Sequence, residues 1–284
     1  MSVWAFVGLQ LVRAPILPPL NSCARGELGS EMTILIGTAG WAVATSTTAP
    51  LAAKGSSLEG YASVFPIVEI NSSFHRPHRL STWQRWGDLV PDHFRFSVKI
   101  PKVISHERKL VECEPPLDIF LEQVNELGSK LALLLLQLPP KLEFDAGTAE
   151  RFFATLRAKC STQIVCEPRH DSWFGREADD LLRTMGVARV AADPARHPDA
   201  STPGGWRGLS YFRLHGSPVM YRSTYADRIG EYAQQLKREH AAGRPTWCIF
   251  DNTASSAAVS DALLLQNSLA SHSSVATGHD NLSE

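Results

Sequence analysis

Eight short apolar segments recur along the chain, and their regular spacing is the feature that most constrains the fold. Each has the length of a β-strand and is rich in β-branched or aromatic residues. The segments between them carry apolar residues at helical intervals, and several end in glycine or a basic residue, as helix C-termini prefer. The predicted strands cover residues 34–40, 66–71, 94–100, 131–138, 162–168, 187–193, 209–216 and 246–252.

This alternation predicts an α/β protein. Eight strands that alternate with helices over about 240 residues fit a single (β/α)8 TIM-type barrel better than an open sheet. We expect the barrel domain to occupy residues 32–270, since Met32 begins a natural opening strand. Residues 1–31 are then an N-terminal extension or a misassigned start. The polar residues 271–284 are expected to form a disordered tail.

Polar side chains share one parity within the predicted strands, so they belong to one face of the sheet. The reverse assignment would press several charges against the helix layer, where an isolated buried charge costs several kcal/mol or more. We therefore expect the polar face to point inward and to form the mouth of the barrel at the C-terminal ends of the strands. The set comprises Glu69, Asn71, Arg95, Ser97, Lys99, Glu167, Arg169, Tyr211, Arg213 and His215.

A series of motifs resembles the YecE-like family of unknown function (DUF-72). The resemblance runs from about Ile34 to Leu265 and implies a TIM-type barrel, without implying an established reaction. The motifs are GTAGW (37–41), VEINSSFHRP (68–77), FRFSVKIPKVISHERKL (94–110), LLLQLPP (134–140), CEPRHDSW (166–173), YFRLHG (211–216) followed by Tyr221 and Tyr225, and IFDNTASSAAVSDAL (249–263).

The chain departs from the pattern of this family at two places near the expected mouth. Typical members carry tyrosine where His75 stands here. Residues 41–57 also lack the aromatic and proline pattern that usually follows the first strand. Both departures bear on the shape of the substrate.

Three side chains at strand ends are the candidates for proton transfer: Glu69, Glu167 and His215. Two glutamates on different strands divide acid and base roles when their surroundings separate their pKa values. A histidine at the mouth suits proton transfer near neutral pH. The alternatives are structural: Glu69 paired with Lys99, Glu167 paired with an arginine, and His215 satisfied at the rim.

Three cations share the expected mouth: Lys99, Arg169 and Arg213. Such an excess favours an anionic substrate that carries a phosphate or a carboxylate. The remaining candidates for substrate binding are expected to fix orientation, and His170 lies one step further out in a loop. These residues are Asn71, Gln137, His170, Asp251 and Asn252.

A divalent metal is a further option, with His215 or Asp251 completing a site built on the glutamates. No HExxH or comparable local signature is present. A metal is therefore not favoured, and the sequence identifies no cofactor.

Charge and cysteine usage narrow the class of protein. The net charge of −1 gives no general attraction to nucleic acid or to an anionic membrane. The five cysteines form no CxxC pair, which argues against a disulfide scaffold and fits a reducing cytoplasm. The apolar stretch near the N-terminus is too short to span a bilayer.

The sequence thus favours a cytoplasmic enzyme that performs acid–base chemistry, hydrolysis or isomerisation, on a small polar and anionic or phosphorylated substrate. One alternative is a non-catalytic barrel that binds a ligand or a protein. Another is an enzyme that processes nucleic acid, against which the near-neutral charge counts. The sequence makes no prediction of the oligomeric state.

Overall fold

The computed structural model describes residues 34–42 and 56–273 of the chain. Within these residues it contains one sheet of ten strands. They are β1 (Ile34–Ala39), β2 (Ile67–Ile70), β3 (Arg95–Lys99), β4 (Leu131–Gln137), β5 (Gln163–Glu167), β6 (Val187–Arg189), β7 (Ala191–Asp193), β8 (Gly204–Gly205), β9 (Ser210–Leu214) and β10 (Thr246–Phe250).

Helices separate most of these strands along the chain. They are α1 (Ser57–Ala62), α2 (Ser72–His75), α3 (Leu80–Leu89), α4 (Glu114–Val124), α5 (Ala146–Lys159), α6 (Arg176–Thr184), α7 (Ile229–Ala241) and α8 (Ala257–Ser273). A π-helical turn, Val103–Glu107, follows β3. None of the helices in the described residues has the length and hydrophobicity that a transmembrane segment needs.

The strands form a nearly closed barrel. Their order is β7-β9-β10-β1-β2-β3-β4-β5-β6-β8, and every pairing is parallel except that of β6 with the two-residue β8. β6 pairs with β5 at one end of this order, and β7 pairs with β9 at the other. The structure is therefore of the α/β class, as predicted. Each predicted apolar segment contains a strand, and residues 187–193 contain two, on either side of Val190.

The predicted domain ends fall largely on residues that are not described. Residues 1–31, the predicted extension, lie outside the described residues, and so do residues 274–284 of the predicted tail. Helix α8 continues to Ser273, three residues past the expected boundary at residue 270.

The sheet separates two apolar cores. The larger lies between the strands and the helices and includes Phe96, Leu134 and Trp83. The smaller fills the inside of the barrel with side chains of the opposite parity, such as Leu135 and Ile249. This inner core is apolar toward the N-terminal ends of the strands, so the polar residues of the same parity collect toward the C-terminal ends.

Two local features of β1 bring it close to its neighbours. Gly37 faces Ile67 of β2, and a Cβ at this position would clash with the Ile67 carbonyl oxygen. The buried hydroxyl of Tyr61 in α1 accepts a hydrogen bond from the Thr38 backbone N–H (2.8 Å) and donates one to the Ile67 carbonyl oxygen (3.0 Å). Tyr61 thus ties β1 to β2 from the helix side.

We predict that Tyr61→Phe lowers the free energy of unfolding by about 1–3 kcal/mol, because it leaves the buried Thr38 N–H without its partner. Urea denaturation measures this change. Tyr221→Phe is the control, since its ring is 38% exposed and we expect a change under about 0.5 kcal/mol. Equal changes in the two variants would contradict the role of Tyr61.

Candidate functional site

Arg213 of β9 is the centre of the polar cluster inside the barrel. Its side chain is fully buried and is surrounded by carboxylates from three other strands or strand ends. Nε and Nη2 donate to the two oxygens of Glu69, at 3.0 and 2.7 Å. Nη2 also donates to Asp251 Oδ2 at 3.0 Å, and Nη1 donates to Glu167 Oε2. The guanidinium therefore joins β2, β5 and β9 with the end of β10.

Glu167 and His215 lie next to this guanidinium and contact each other. Glu167 Oε1 accepts hydrogen bonds from Arg169 Nε at 2.9 Å and lies 3.2 Å from His215 Nε2. His215 Nδ1 lies 2.9 Å from Asp251 Oδ2. The imidazole is thus held between two carboxylates, one at each ring nitrogen.

Tyr211 and Ser97 continue the cluster toward the apolar core. The Tyr211 hydroxyl lies 2.8 Å from Glu69 Oε2, to which it donates, and 2.9 Å from Ser97 Oγ. The sequence placed Tyr211 on the inward polar face by its parity with Arg213 and His215 but did not include it among the catalytic or substrate-binding candidates.

The charges in this cluster lower the pKa values of Glu167 and Asp251. Burial alone would raise the pKa of Glu167, but Arg213, His215 and Arg169 outweigh it and hold that pKa well below its usual value. Asp251 behaves alike: burial opposes ionisation, and Arg213 and His215 lower its pKa. Both side chains are therefore carboxylates near neutral pH.

His215 responds in the opposite direction. Burial would lower its pKa, but Glu167 and Asp251 outweigh both burial and the charge of Arg213, so the pKa is raised above 6.5. The protonated ring donates through Nδ1 to Asp251 and through Nε2 to Glu167. The two carboxylates therefore stabilise the imidazolium form of His215, in which both N–H groups donate to them. An imidazolium is a form suited to a general acid.

Lys99 lies at the end of β3 and has a different environment. Its side chain is 8% exposed, and its Nζ lies 4.3 Å from the centre of the Phe74 ring. Burial and the charge of Arg213 lower its pKa to about 8, although Glu69, Glu167 and Asp251 act in the other direction. Among the described residues, its amine has no carboxylate within 4.0 Å and no hydrogen-bond partner.

The other four predicted substrate-binding residues lie in different surroundings. Gln137 is in the cluster, with Oε1 at 3.5 Å from Arg213 Nη1. Asn252 is fully buried but directs its amide to the Ser223 carbonyl and to Asp261 of α8. His170 caps the following turn by accepting from the Ser172 N–H. Asn71 begins α2, and its buried Oδ1 has no hydrogen-bond partner among the described residues.

Three further side chains at the mouth were not predicted. Phe74 covers Lys99 and contacts His106, whose ring lies 5.0 Å away. Burial, Lys99 and Arg169 lower the pKa of His106, so this ring is neutral where His215 is charged. Tyr221 has a left-handed backbone (φ 64°), and its ring lies 5.9 Å from that of His215. Strain of this kind in a non-glycine residue is common at functional sites.

Two cavities of different size lie near these groups. A cavity of about 10 Å³ lies beside Glu167, Arg169 and His215, room for a single water molecule. A cavity of about 290 Å³ is lined in part by Phe74, Pro101, Ile119 and Phe120. The Phe74 ring therefore contacts both the amine of Lys99 and the larger cavity.

The described residues contain no cluster of three or more His, Cys, Asp or Glu side chains placed to hold a metal ion. The carboxylates of the cluster instead face cations. Both oxygens of Glu69 bind Arg213, and Asp251 Oδ2 binds Arg213 and His215. The arrangement suits organic acid–base chemistry and anion binding.

A nearly closed α/β barrel with a buried ion network at its C-terminal end is the class that this geometry defines. The profile of the family described as "Protein of unknown function DUF72" matches residues 35–282. The chain belongs to this family, which confirms the resemblance seen in its motifs.

Relatives and a solved structure agree with this membership. The chain is 31% identical to UPF0759 protein YecE of Escherichia coli K12 over 143 residues, which are 48% of this chain and 52% of that protein. It is 32% identical to UPF0759 protein YunF of Bacillus subtilis over 182 residues, 60% of this chain and 64% of that protein. The matched stretches thus span about half to two thirds of these relatives. The DUF72 family protein EF0366 of Enterococcus faecalis aligns with a TM-score of 0.72 at 20% identity, covering 84% of this chain and 96% of that one, and shares the fold.

We predict that the contribution of His215 to the free energy of unfolding falls as the pH rises from 6.5 through the raised pKa of this residue. The folded protein keeps a proton there that the unfolded chain has lost, so this contribution is complete below 6.5 and disappears above the folded pKa. Urea denaturation across this range measures the slope.

His215→Asn removes the titrating ring, and the difference in slope between the two proteins isolates its contribution. His93→Asn, at an exposed position before β3, is the matched control and should leave the slope unchanged. A wild-type slope that survives in His215→Asn would contradict the assignment.

Proposed function

We propose that the chain is an enzyme that uses acid–base chemistry, hydrolysis or isomerisation, on a small polar substrate that carries an anionic group. The observation that carries this proposal is the pairing of His215 with Glu167 and Asp251 beside cations at the end of the barrel. A charged imidazole held at both nitrogens is a preorganised proton donor. Lys99 and Arg169 supply the attraction for the anion.

The contacts favour different roles for the three residues that the sequence suggested for proton transfer. Glu69 is fully buried with both oxygens on Arg213, and the pKa of Glu167 is low, so both suit the positioning of charge. We assign proton donation to His215, oriented by Asp251. Gln137 and Asn71 are assigned to orientation of the substrate, Asn71 because its carbonyl oxygen is buried and unpaired among the described residues.

Arg169 is the guanidinium best placed for the anion. It gives Nε and Nη2 to Glu167, while Nη1 has no hydrogen bond among the described residues. Its side chain is 11% exposed, whereas that of Arg213 is fully enclosed. We therefore assign Arg169 to the substrate and Arg213 to the internal network.

We also propose that the barrel is a (β/α)8 barrel. Strands β6 and β7 belong to one apolar segment that is interrupted only at Val190, and β8 is a two-residue antiparallel addition. Counting β6 with β7 and leaving out β8 yields eight parallel strands that close through β5 and β9. Catalytic groups at the C-terminal ends of strands fit this fold.

A cytoplasmic location is part of the proposal. Its support is the chemistry of the cysteines: Cys113, Cys160, Cys166 and Cys248 are free thiols, and burial raises the pKa of each. Thiols of this kind persist in a reducing compartment. The near-neutral net charge argues against nucleic acid as the substrate.

A non-catalytic binding barrel is the second candidate. The observation that favours it is that Glu69, Glu167 and Asp251 are all paired with Arg213, so none of these carboxylates is free to act as a base. Such a barrel would bind an anion without changing it. Analysis of the bound compound after prolonged incubation with the protein separates the two, since an enzyme returns product and a binding protein returns the compound unaltered.

We predict that inorganic phosphate or a small carboxylate such as pyruvate raises the unfolding midpoint. A ligand at about 100 times its Kd adds roughly 2.7 kcal/mol to the free energy of unfolding. Arg169→Gln should weaken this binding by about 1.5–3 kcal/mol, the loss of a hydrogen bond to a charged group. Thermal-shift titration measures both effects.

Arg85→Gln is the matched control, because Arg85 is exposed on α3, away from the cluster. Its titration curve should coincide with that of the wild type. Equal weakening in the two variants, or no stabilisation by either anion, would contradict an anion site at the mouth.

A further inference from the structure

Lys99 is a buried amine for which the network provides no counter-ion. The residue ends β3 with the inward parity of Arg95 and Ser97, and its backbone carbonyl accepts a hydrogen bond from Ser73 Oγ at 2.7 Å. The side chain is only 8% exposed. Its Nζ faces the Phe74 ring at 4.3 Å. The lysine is therefore held in place at the end of β3, and its nitrogen has no ion-pair or hydrogen-bond partner among the described residues.

The neighbouring carboxylates are already engaged by other cations. Glu69 gives both oxygens to Arg213, and Glu167 binds Arg213, Arg169 and His215. Among the described residues, none of them reaches Lys99 within the 4.0 Å of an ion pair. A lysine whose purpose was to balance these charges would be expected to contact one of them.

Burial and the nearby Arg213 lower the pKa of this amine to about 8 from an ordinary 10.5. At pH 7 this shift leaves roughly 300-fold more of the amine neutral, and the neutral form is the nucleophile. Desolvated lysines beside another cation are the ones that enzymes use to attack carbonyl groups.

We propose that Lys99 forms an imine with a small carbonyl compound that also carries a carboxylate or a phosphate. The proposal deepens the proposed function, on which it rests, by naming the substrate class. The carbonyl carbon bonds to Lys99 Nζ, and the anionic group binds Arg169. Both cations are near enough to His106 to lower its pKa.

The two histidines supply the proton transfers of this step. The nitrogen lone pair of Lys99 attacks the carbonyl carbon, the C=O π electrons move to oxygen, and that oxygen takes a proton from the His215 imidazolium. The attacking nitrogen loses a proton to the neutral His106, which completes a carbinolamine. His106 then returns this proton to the hydroxyl of the carbinolamine, and water departs to leave the C=N⁺ bond of the imine. Solvent restores the proton of His215, and the reverse sequence with water releases the compound.

Reductive trapping tests the proposal on the full chain. The protein is incubated with sodium borohydride and either pyruvate or dihydroxyacetone phosphate, and the modified lysine is identified by peptide mass spectrometry. The two probes distinguish a carboxylate from a phosphate. Acetone carries the carbonyl without an anion, and lactate carries the anion without a ketone.

Lys102 is the internal control, because it is about half exposed and pairs with Glu107 at 3.2 Å on the surface. We expect Lys99 to be modified on the order of 10-fold faster than Lys102 by pyruvate or by dihydroxyacetone phosphate. Part of the 300-fold gain in neutral amine is lost because a less basic amine is a weaker nucleophile. Acetone should react at least about 10-fold more slowly at Lys99, and lactate should yield no adduct.

The outcomes separate this inference from the proposed function. Equal modification of Lys99 and Lys102, or no adduct at Lys99 with either probe, overturns imine formation. If the same anions still raise the unfolding midpoint, the proposed acid–base site stands without it; if they do not, both proposals fall. Lys99→Arg keeps a cation but forms no imine. Lys99→Met also removes the amine and serves as the test if Lys99→Arg does not fold. An undiminished total yield of reduced adduct in either variant would also overturn the assignment.

Discussion

The structure depends on one buried guanidinium. Arg213 crosses the inside of the barrel and binds Glu69, Glu167 and Asp251, which come from β2, β5 and the end of β10. Burying such groups costs several kcal/mol for each ion, which the mutual attraction offsets only when the geometry is good and the remaining donors are satisfied. Here the guanidinium has a bidentate partner and three strands meet on it. The polar layer is therefore specified by charge pairing, above an apolar layer that is specified by packing.

The same interaction sets the properties of the groups around it. Because Arg213 and Arg169 keep Glu167 ionised, His215 retains its proton between two carboxylates. The carboxylates are engaged by the arginines, and Lys99 has no ion-pair partner among the described residues. Burial and the charge of Arg213 therefore lower its pKa to about 8. A proton donor and an amine that loses its proton more readily than an ordinary lysine thus arise at one end of the barrel from a single arrangement of charges.

Much of the fold can be predicted from the sequence, because period and parity are local properties. The strand segments and the inward face follow from alternation in FRFSVK and YFRLH. The interruption at Val190 could not be predicted, since residues 187–193 look continuous. It arises from pairing: Val190 N–H donates to the Cys166 carbonyl on one side, and His215 N–H donates to the Asp193 carbonyl on the other.

The site is less predictable, because the alternation along a strand determines the face of the sheet on which a side chain lies but not how deeply that side chain is buried. Arg213 and Arg169 share inward parity, but one is enclosed and the other reaches the mouth. Asn252 has the parity opposite to that of Asp251 and turns to Asp261, a partner nine residues away in α8. His170 lies beyond the strand, where alternation ends and local capping decides.

The free energy of unfolding of Arg213→Met tests the central claim most directly, compared with that of Arg207→Met. Arg207 is 45% exposed and pairs with Glu239 at 3.4 Å. Loss of Arg213 leaves carboxylates buried without their cation, which should cost about 3–5 kcal/mol, whereas the exposed pair should cost under about 1 kcal/mol. Similar costs for the two variants would show that the barrel does not depend on the guanidinium at its centre.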